Sequence, residues 1–332
     1  MKYTVIGAGS WGTTVASLSA PYAPTTIWSR REDVVKGINK KNRNKRYLKG
    51  YDLSPELVAT DDLHGAVNDA TVIIMGVPSH GYRDVLLRLT DAIPNDTPIL
   101  SLSKGIEAGT LMRMTEVTLD VLPSHDPSIV GVLTGPNLAR EIMAGQPAAT
   151  VIAMEDQTIA TAIQQVFGTP RLRVYTNPDV IGSESAGAVK NVMALAAGMA
   201  RGQGFGDNTL ATLITRALVE MTRLGVAMGG DERTFSGLAG LGDLIATCNS
   251  SQSRNQTVGY GLGQGRDLED IVEEMNMVAE GVKSTRGVLE LAHKHGVDMP
   301  IAEKVGSVLY EKADVDHALH ELMTREAKSE YS

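Results

Sequence analysis

One cysteine, Cys248, is all that the 332-residue chain contains, which excludes an internal disulfide framework and fits a reducing compartment. No uninterrupted apolar run approaches the roughly 20 residues that a membrane-spanning helix requires. No Cys/His cluster has metal-ligand spacing, so no metal site is expected. Positive charge is in the minority, with 31 Lys and Arg against 39 Asp and Glu for a net charge of −8. That balance argues against nucleic acid as a main partner. Internal repeats and low-complexity stretches are missing as well. A strand pattern that starts at about residue 2 leaves no room for a cleavable signal peptide, and a cytoplasmic location is the expectation.

What is present is a globular composition, 42% apolar and 21% charged, long enough for one large domain or two ordinary ones. The stretch that organises the chain is Gly7-Ala8-Gly9-Ser10-Trp11-Gly12. It follows Lys2-Tyr3-Thr4-Val5-Ile6, which has strand character, and leads into a helical pattern from Thr13. Strand, G-x-G-x-x-G, helix is the dinucleotide fingerprint in its required context. Gly7 lets the chain turn off the strand, Gly9 removes a Cβ where a pyrophosphate approaches, and Gly12 lets helix and strand pack closely. The helix N-terminus then offers N–H groups and a positive dipole end to the phosphates.

Strand and helix patterns alternate through the N-terminal half, which predicts a parallel sheet covered on both faces. Thr25-Thr26-Ile27-Trp28 reads as the second strand and is followed by Ser29-Arg30-Arg31. An acidic residue at that tip favours NAD, whereas arginine suits the 2′-phosphate of NADP. Arg30 and Arg31 therefore favour NADPH, with NADH tolerated because Glu32 is adjacent. The basic stretch over 36–49 reads as a solvated helix end and loop. Further strand patterns cover 70–78, 98–103, 129–134, 148–152 and 172–175. Their carboxyl ends deliver His80, read as a hydrogen-bonded loop histidine, then Lys104, placed to meet an anionic substrate, and Gly135-Pro136-Asn137. The bare backbone at Gly135 suits close approach of a ligand.

From Asp179 onward the strand patterns stop. The expected fold is α/β: a Rossmann-type doubly wound domain over 1–180 and an all-helical substrate domain over 181–332. Between Ala186 and Ala200 the only polar side chains are Lys190 and Asn191, in a stretch apolar on every face. Lysine is almost never fully buried without a partner, and desolvation tunes its pKa toward proton transfer. Asp243, alone in an apolar, glycine-rich run, is the natural counter-ion, with Thr247 one turn on. Cys248 reads as a packed free thiol. Ser253, Arg254 and Asn255 follow in a polar segment suited to phosphate recognition, with a solvated loop as the plain alternative. The run from Val278 through Glu280 is too generic to assign by itself. His293 and His295 sit on an exposed helix pattern and are not expected to bind metal.

Taken in order, Gly7 to Gly12, Val77-Pro78-Ser79-His80, Ser103-Lys104-Gly105-Ile106-Glu107, Gly135-Pro136, Gly187-Ala188-Val189-Lys190-Asn191-Val192, Gly240-Leu241-Gly242-Asp243-Leu244 and Ser253-Arg254-Asn255 resemble bacterial NAD(P)-dependent glycerol-3-phosphate dehydrogenase over nearly the whole chain. The resemblance implies reversible reduction of dihydroxyacetone phosphate to sn-glycerol 3-phosphate, a phospholipid precursor, by a homodimer. It also implies Lys190 as proton donor and acceptor, within a polar network of Lys104, Asn191, Asp243 and Thr247. Substrate contacts would come from Gly135, Asn137, Ser253, Arg254 and Asn255, besides Lys104, Lys190 and Asp243. Cofactor contacts would come from Ser10, Trp11, Arg30, Arg31, Lys104, Ala139, Arg254, Val278 and Glu280. Two positions depart from the family pattern: Asn137 replaces Ser or Thr, and Lys49 replaces a proline. A β-hydroxyacid dehydrogenase and a non-catalytic dinucleotide sensor are the rival readings. Lys104 and the Ser253-Arg254-Asn255 segment argue for a phosphate over a carboxylate, and the presence of both Lys190 and Asp243 argues for an enzyme.

Overall fold

The computed structural model describes residues 1–275, 279–326 and 329; Val278, an expected cofactor contact, lies outside them. Eight strands form one sheet: β1 (Tyr3–Ile6), β2 (Thr25–Trp28), β3 (Val58–Thr60), β4 (Val72–Met75), β5 (Ile99–Ser101), β6 (Val130–Thr134), β7 (Ala148–Ala153) and β8 (Leu172–Asn177). Their order is β3-β2-β1-β4-β5-β6-β7-β8. Successive side chains point opposite ways, and the continuous apolar runs of β1, β4, β5 and β6 are buried on both faces, whereas β8 exposes Arg173 and Tyr175 on one of its faces. Val5 and Ile74 enter one core with Val15 and Phe167, while Ile6 and Ile73 enter the other with Leu63 and Leu86.

Two features of the sheet differ from the expectation: one strand has no sequence signal, and one runs antiparallel. Strand β3 carries only three residues, too few for a periodic signal, and pairs with β2 through Thr26 and Val58 at the edge. Strand β7 runs antiparallel to β6. The connection between them doubles back through positive φ at Gly135 and Gly145, around the short helix Ala139–Met143, instead of crossing the sheet. Strand order reverses between β1 and β4, so the crevice at their carboxyl ends is the expected ligand position. Gly7 leaves β1 there.

After Asn177 the described residues form helices and connections only. The helix Val180–Gly202, here called the lysine helix, starts at an Asp179 cap whose carboxylate accepts from Gly182 N. All its residues except Ile181, Arg201 and Gly202 are buried, as its all-round apolar character requires. Glycines set how closely the helix Arg254–Gly263 lies against it. A Cβ at Gly198 would sit 2.2 Å from Gln256 O, and one at Gly259 would sit 2.1 Å from Leu195 O. This near-contact of backbones brings Arg254 and Asn255, in the first turn of the second helix, over the middle of the first. Elsewhere, the buried Glu220 carboxylate accepts from Ile301 N and Ala302 N at the start of the helix Pro300–Glu311, and burial pushes its pKa up to about 7.

Candidate active site

The glycine loop has the shape that a dinucleotide needs. Gly7 sits at φ +116°, and a Cβ there would meet Gly76 O at 2.6 Å; one on Gly12 would meet Gly7 O at 2.2 Å. Both glycines are required by the fold itself. Gly9 is different. Its backbone is extended, with φ −67° and ψ 177°, and a Cβ would meet nothing within 4 Å. Any residue could stand there in the bare protein, so its glycine serves an incoming group. Gly9 caps the helix Ser10–Ser19 without a side-chain bond, and Thr13 is the first amide to bond back, to Gly9 O at 2.9 Å. The amides before it point outward at the positive end of the helix. Trp11 Nε1 is buried without a hydrogen-bond partner. These features fit a bound pyrophosphate.

At the tip of β2 Arg30 is exposed, and Arg31 Nε donates to Asp33 Oδ1 at 3.1 Å. Glu32, which the sequence placed beside the arginines, pairs instead with Lys36 one turn along its own helix. The carboxylate that competes for Arg31 is therefore Asp33. Ser10 Oγ donates to Tyr47 O at 2.6 Å, and Ala139 opens its short helix, half-buried beside the loop after β6.

The chemistry-bearing groups converge about 100 residues and more away in sequence. Asp243, 2% exposed, bridges two ammonium groups: Lys190 Nζ donates to Oδ1 at 2.7 Å and Lys104 Nζ donates to Oδ2 at 2.6 Å. Lys190, 5% exposed, also donates to Thr247 Oγ1 at 2.6 Å. Thr247 in turn donates to Asp243 O at 2.6 Å, which leaves its oxygen free to accept from the lysine. Lys104 Nζ reaches Gly135 O at 3.1 Å, and its own carbonyl accepts from Asn191 Nδ2 at 3.0 Å. Asp243 is aimed by an unusual local device. The π-helical turn Leu238–Gly242 precedes it, and a Cβ at Gly240 would lie 2.1 Å from Phe235 O, so only glycine permits the tight fold-back. Wide turns of this kind concentrate at functional sites.

Burial is the dominant influence on Lys190 and brings its pKa down to about 8; Asp243 opposes that shift and Lys104 adds to it. A lysine poised there can both give and take a proton near neutral pH. Arg254 keeps part of its surface exposed at the start of its helix; desolvation by the groups around it lowers its pKa and the Glu280 carboxylate opposes. Glu280 accepts from Ser79 N at 3.2 Å and is pushed above the usual carboxylate range by burial, with Arg254 and Lys104 opposing. Asn255 Oδ1 accepts from Gly281 N at 2.9 Å, which ties the phosphate-type segment to the helix Glu280–His295.

Two expected contacts are occupied by other work. Ser253 caps the helix Arg254–Gly263, its Oγ accepting from Gln256 N at 3.3 Å. Asn137 Nδ2 donates to Thr150 Oγ1 at 3.0 Å, while its Oδ1 is buried without a partner. The structure does not bring His293 or His295 near the lysine centre; both are exposed at the end of their helix. Burial pushes the Cys248 thiol up to about 12, so it is a packed group and no nucleophile. His80 is an exposed loop histidine whose pKa is lowered by partial burial, Lys283 and Arg30. Sequence reasoning passed over Glu184, a buried acid on the lysine helix bound to Arg113 and Thr115. The available signal was a carboxylate six positions before Lys190, between Ser183 and Ser185 at the head of the apolar stretch.

Among the described residues no group of His, Cys, Asp and Glu could hold a metal ion, and no helix is long and apolar enough to cross a membrane. Residues 2–160 match the profile of the NAD-dependent glycerol-3-phosphate dehydrogenase N-terminus, and residues 179–320 match that of its C-terminus. The chain is 52% identical to a glycerol-3-phosphate dehydrogenase [NAD(P)+] of Sphingopyxis alaskensis over 93% of this chain and 92% of that one. It is 50% identical to the corresponding protein of Mycobacterium avium, over 97% and 94% of the two chains. The crystal structure of glycerol-3-phosphate dehydrogenase from Coxiella burnetii superposes with a TM-score of 0.92 at 36% identity, covering 98% of this chain and 99% of that one. With the glycine loop, the buried lysine and its carboxylate already in one crevice, these matches make the chain a member of the NAD-dependent glycerol-3-phosphate dehydrogenase family.

Proposed function

We propose that this protein catalyses the reversible reduction of dihydroxyacetone phosphate to sn-glycerol 3-phosphate, preferring NADPH and accepting NADH. The observation that carries the reading is the Asp243 carboxylate held between Lys190 and Lys104. In this reading the chain acts as a cytoplasmic homodimer that supplies a glycerophospholipid precursor. Residues 1–180 hold the dinucleotide, and residues 181–332 hold the substrate and supply the proton donor.

The nicotinamide, when bound, supplies or accepts the hydride. Lys190 does the complementary work. Its ammonium stabilises the developing alkoxide and delivers a proton to the oxygen. Asp243 keeps that ammonium charged against the cost of burial and aims it, and Thr247 takes up a second N–H. Lys104 and Arg254 offset the negative charge of the substrate phosphate, a task suited to cations in a site shielded from water. Asn191 fixes the backbone of Lys104, and Asn255 fixes the turn at Gly281. A spectrophotometric assay of NADPH oxidation with dihydroxyacetone phosphate tests the reading, with 3-hydroxyacids and their 3-oxo forms as controls. Turnover of the carboxylates at equal or greater efficiency would move the protein to a different reaction.

The pH dependence follows from Lys190. Reduction needs the ammonium, which is present below a pKa of about 8, so kcat/KM for dihydroxyacetone phosphate falls as pH rises through that value. Oxidation of glycerol 3-phosphate needs the neutral amine, so its kcat/KM rises over the same interval. Profiles with no limb between pH 7 and 9, or limbs of the same sign in both directions, would remove Lys190 from the proton transfer.

Cofactor choice is assigned to Arg30 and Arg31. The Arg31→Ala variant is expected to raise KM for NADPH by about tenfold or more, the scale of one lost charge-assisted contact, and to leave KM for NADH nearly unchanged. Equal effects on both cofactors would show that Arg31 does not read the 2′-phosphate.

A further inference from the structure

The segment between β5 and the helix Met114–Val121 carries Lys104, and both of its ends are tied to the lysine helix. At the start, Lys104 O accepts from Asn191 Nδ2 at 3.0 Å. At the far end, Glu184 takes three hydrogen bonds. Its Oε1 accepts from Thr115 N at 3.0 Å, and its Oε2 accepts from Thr115 Oγ1 at 2.5 Å and Arg113 Nη1 at 3.0 Å. Glu184 is 3% exposed and Arg113 8%, so the ion pair is out of water. Between the two anchors the segment closes on itself. Ile106 and Arg113 form an isolated antiparallel bridge, and Glu107 N donates to Met112 O at 2.9 Å. Fixing Arg113 therefore fixes Ile106, two residues from Lys104.

Helical geometry places the anchors and the active lysine together. Glu184, Gly187 and Asn191 fall at spacings of three and four, on one face of the helix. A Cβ at Gly187 would touch Lys104 Cγ at 3.5 Å, so the lysine stem lies across that face between the two tethers. Lys104 Nζ then has little freedom about where it meets Asp243. None of these Glu184 contacts touches the space beside Lys190. A buried acid that merely stabilised the fold would not need to grip the one segment that carries a second ammonium to the site.

We propose that Glu184 is a positioning residue for this reaction: through Thr115 and Arg113 it pins the Lys104 segment to the lysine helix and so sets the distance between the two ammonium groups that share Asp243. The inference rests on the reading of Lys104 and Lys190 given above. It separates from a structural role because Lys104 lowers the pKa of Lys190. The charged and titratable groups around Lys190 are Asp243, Lys104 and Cys248, and those around Glu184 are Arg113, Glu116 and the Tyr82 phenol. Releasing Lys104 withdraws a neighbouring cation from Lys190 and leaves it Asp243 alone, and both changes raise its pKa.

The test compares Glu184→Gln with the wild-type protein in three measurements. First, the limb of kcat/KM for dihydroxyacetone phosphate moves to higher pH from about 8, and KM for that substrate rises roughly tenfold, the consequence of a misplaced contact. Second, in a Lys104→Ala background the same substitution produces no further shift of the limb and no further rise in KM, since the route of action has been removed. Third, amide hydrogen exchange speeds up at Glu107 and Leu111, whose N–H groups close the segment. If Glu184→Gln does not fold, Thr115→Val takes its place, removing one donor at constant shape. A lowered melting temperature with an unmoved limb would overturn the proposal, as would effects that add fully to those of Lys104→Ala. A wild-type protein that does not oxidise NADPH with dihydroxyacetone phosphate would overturn the assigned reaction instead. The exchange measurement still decides the clamp in that case, because unchanged protection in the variants would refute it.

Discussion

Replacing Lys190 by alanine lowers kcat for dihydroxyacetone phosphate reduction by about 10³–10⁴, the combined scale of a lost general acid and a lost stabiliser of the alkoxide. Among the described residues no other group beside Asp243 can take over. Lys104 Nζ is held on the other carboxylate oxygen of Asp243 and on Gly135 O, and Cys248 is held neutral by burial, its thiol pushed up to about 12. Arginine at 190 does not rescue, because a guanidinium keeps its proton at neutral pH. The fold survives the substitution. Asp243 retains Lys104 at 2.6 Å, so the buried carboxylate is not left without a cation, and the lost side chain opens space inside a helix-packed core. NADPH binding, followed by the change in its fluorescence, is expected to stay within a few-fold of wild type, since the glycine loop lies on the other side of the crevice. Near-normal turnover in Lys190→Ala would refute the assignment outright, and loss of NADPH binding would recast the lysine as a structural element.

Asp243→Asn has the second-largest expected effect, a drop in kcat of about 10²–10³. The amide preserves the shape but not the charge, and it leaves two ammonium groups facing each other in a buried site. Removing one member of a buried ion pair costs about 3–5 kcal/mol because the partner stays desolvated. Lys190 avoids that cost by shedding its proton, its pKa falling below the wild-type value of about 8 as the main opposing influence is lost. The reduction limb then moves to lower pH and activity at pH 7 collapses, while activity near pH 6 recovers part of the loss. Glycerol 3-phosphate oxidation, which needs the neutral amine, suffers less at pH 7. Pre-steady-state reduction measured from pH 5.5 to 9 checks this, and a loss of equal size at every pH and in both directions would show that Asp243 acts by geometry alone.

The residues replaced in these two variants illustrate how a site reads in sequence. Lys190 was visible because an isolated lysine in an apolar helix contradicts its surroundings, and the same contradiction marked Asp243 in its glycine-rich run. Their pairing could be named as the natural one, because a buried cation and a buried anion seek each other. The balance of influences on Lys190 could not be read there. Burial lowers its pKa and Asp243 raises it, and only the depth of burial and the 2.7 Å contact show that burial wins. Glu184 escaped notice although it obeys the same rule, because its partners Arg113 and Thr115 lie in a segment with no pattern of its own. The ion pair between Arg31 and Asp33 likewise carried no signal of its own. On the helix Glu32–Lys41, Glu32 has Lys36 one turn away, so Asp33 is the one that reaches the arginine.

Residue order alone is enough to read the alternation of strands and helices, the glycine loop at a strand-to-helix turn, and the chemical types at the site. Local steric rules and the period of the apolar residues act within a few positions along the chain, and they leave their mark in order. Tertiary structure decided the rest: β7 returns antiparallel after positive-φ turns, and glycines let the helix Arg254–Gly263 press against Lys190's own helix. It also decided that residues 104, 190 and 243 meet around one carboxylate. Contacts made across such separations depend on the packing of whole elements, and no window of sequence contains them. The difference between Gly9 and its two neighbours has the same origin. All three satisfy one motif, but only the folded backbone shows that Gly7 and Gly12 are demanded by the chain and Gly9 by what it holds.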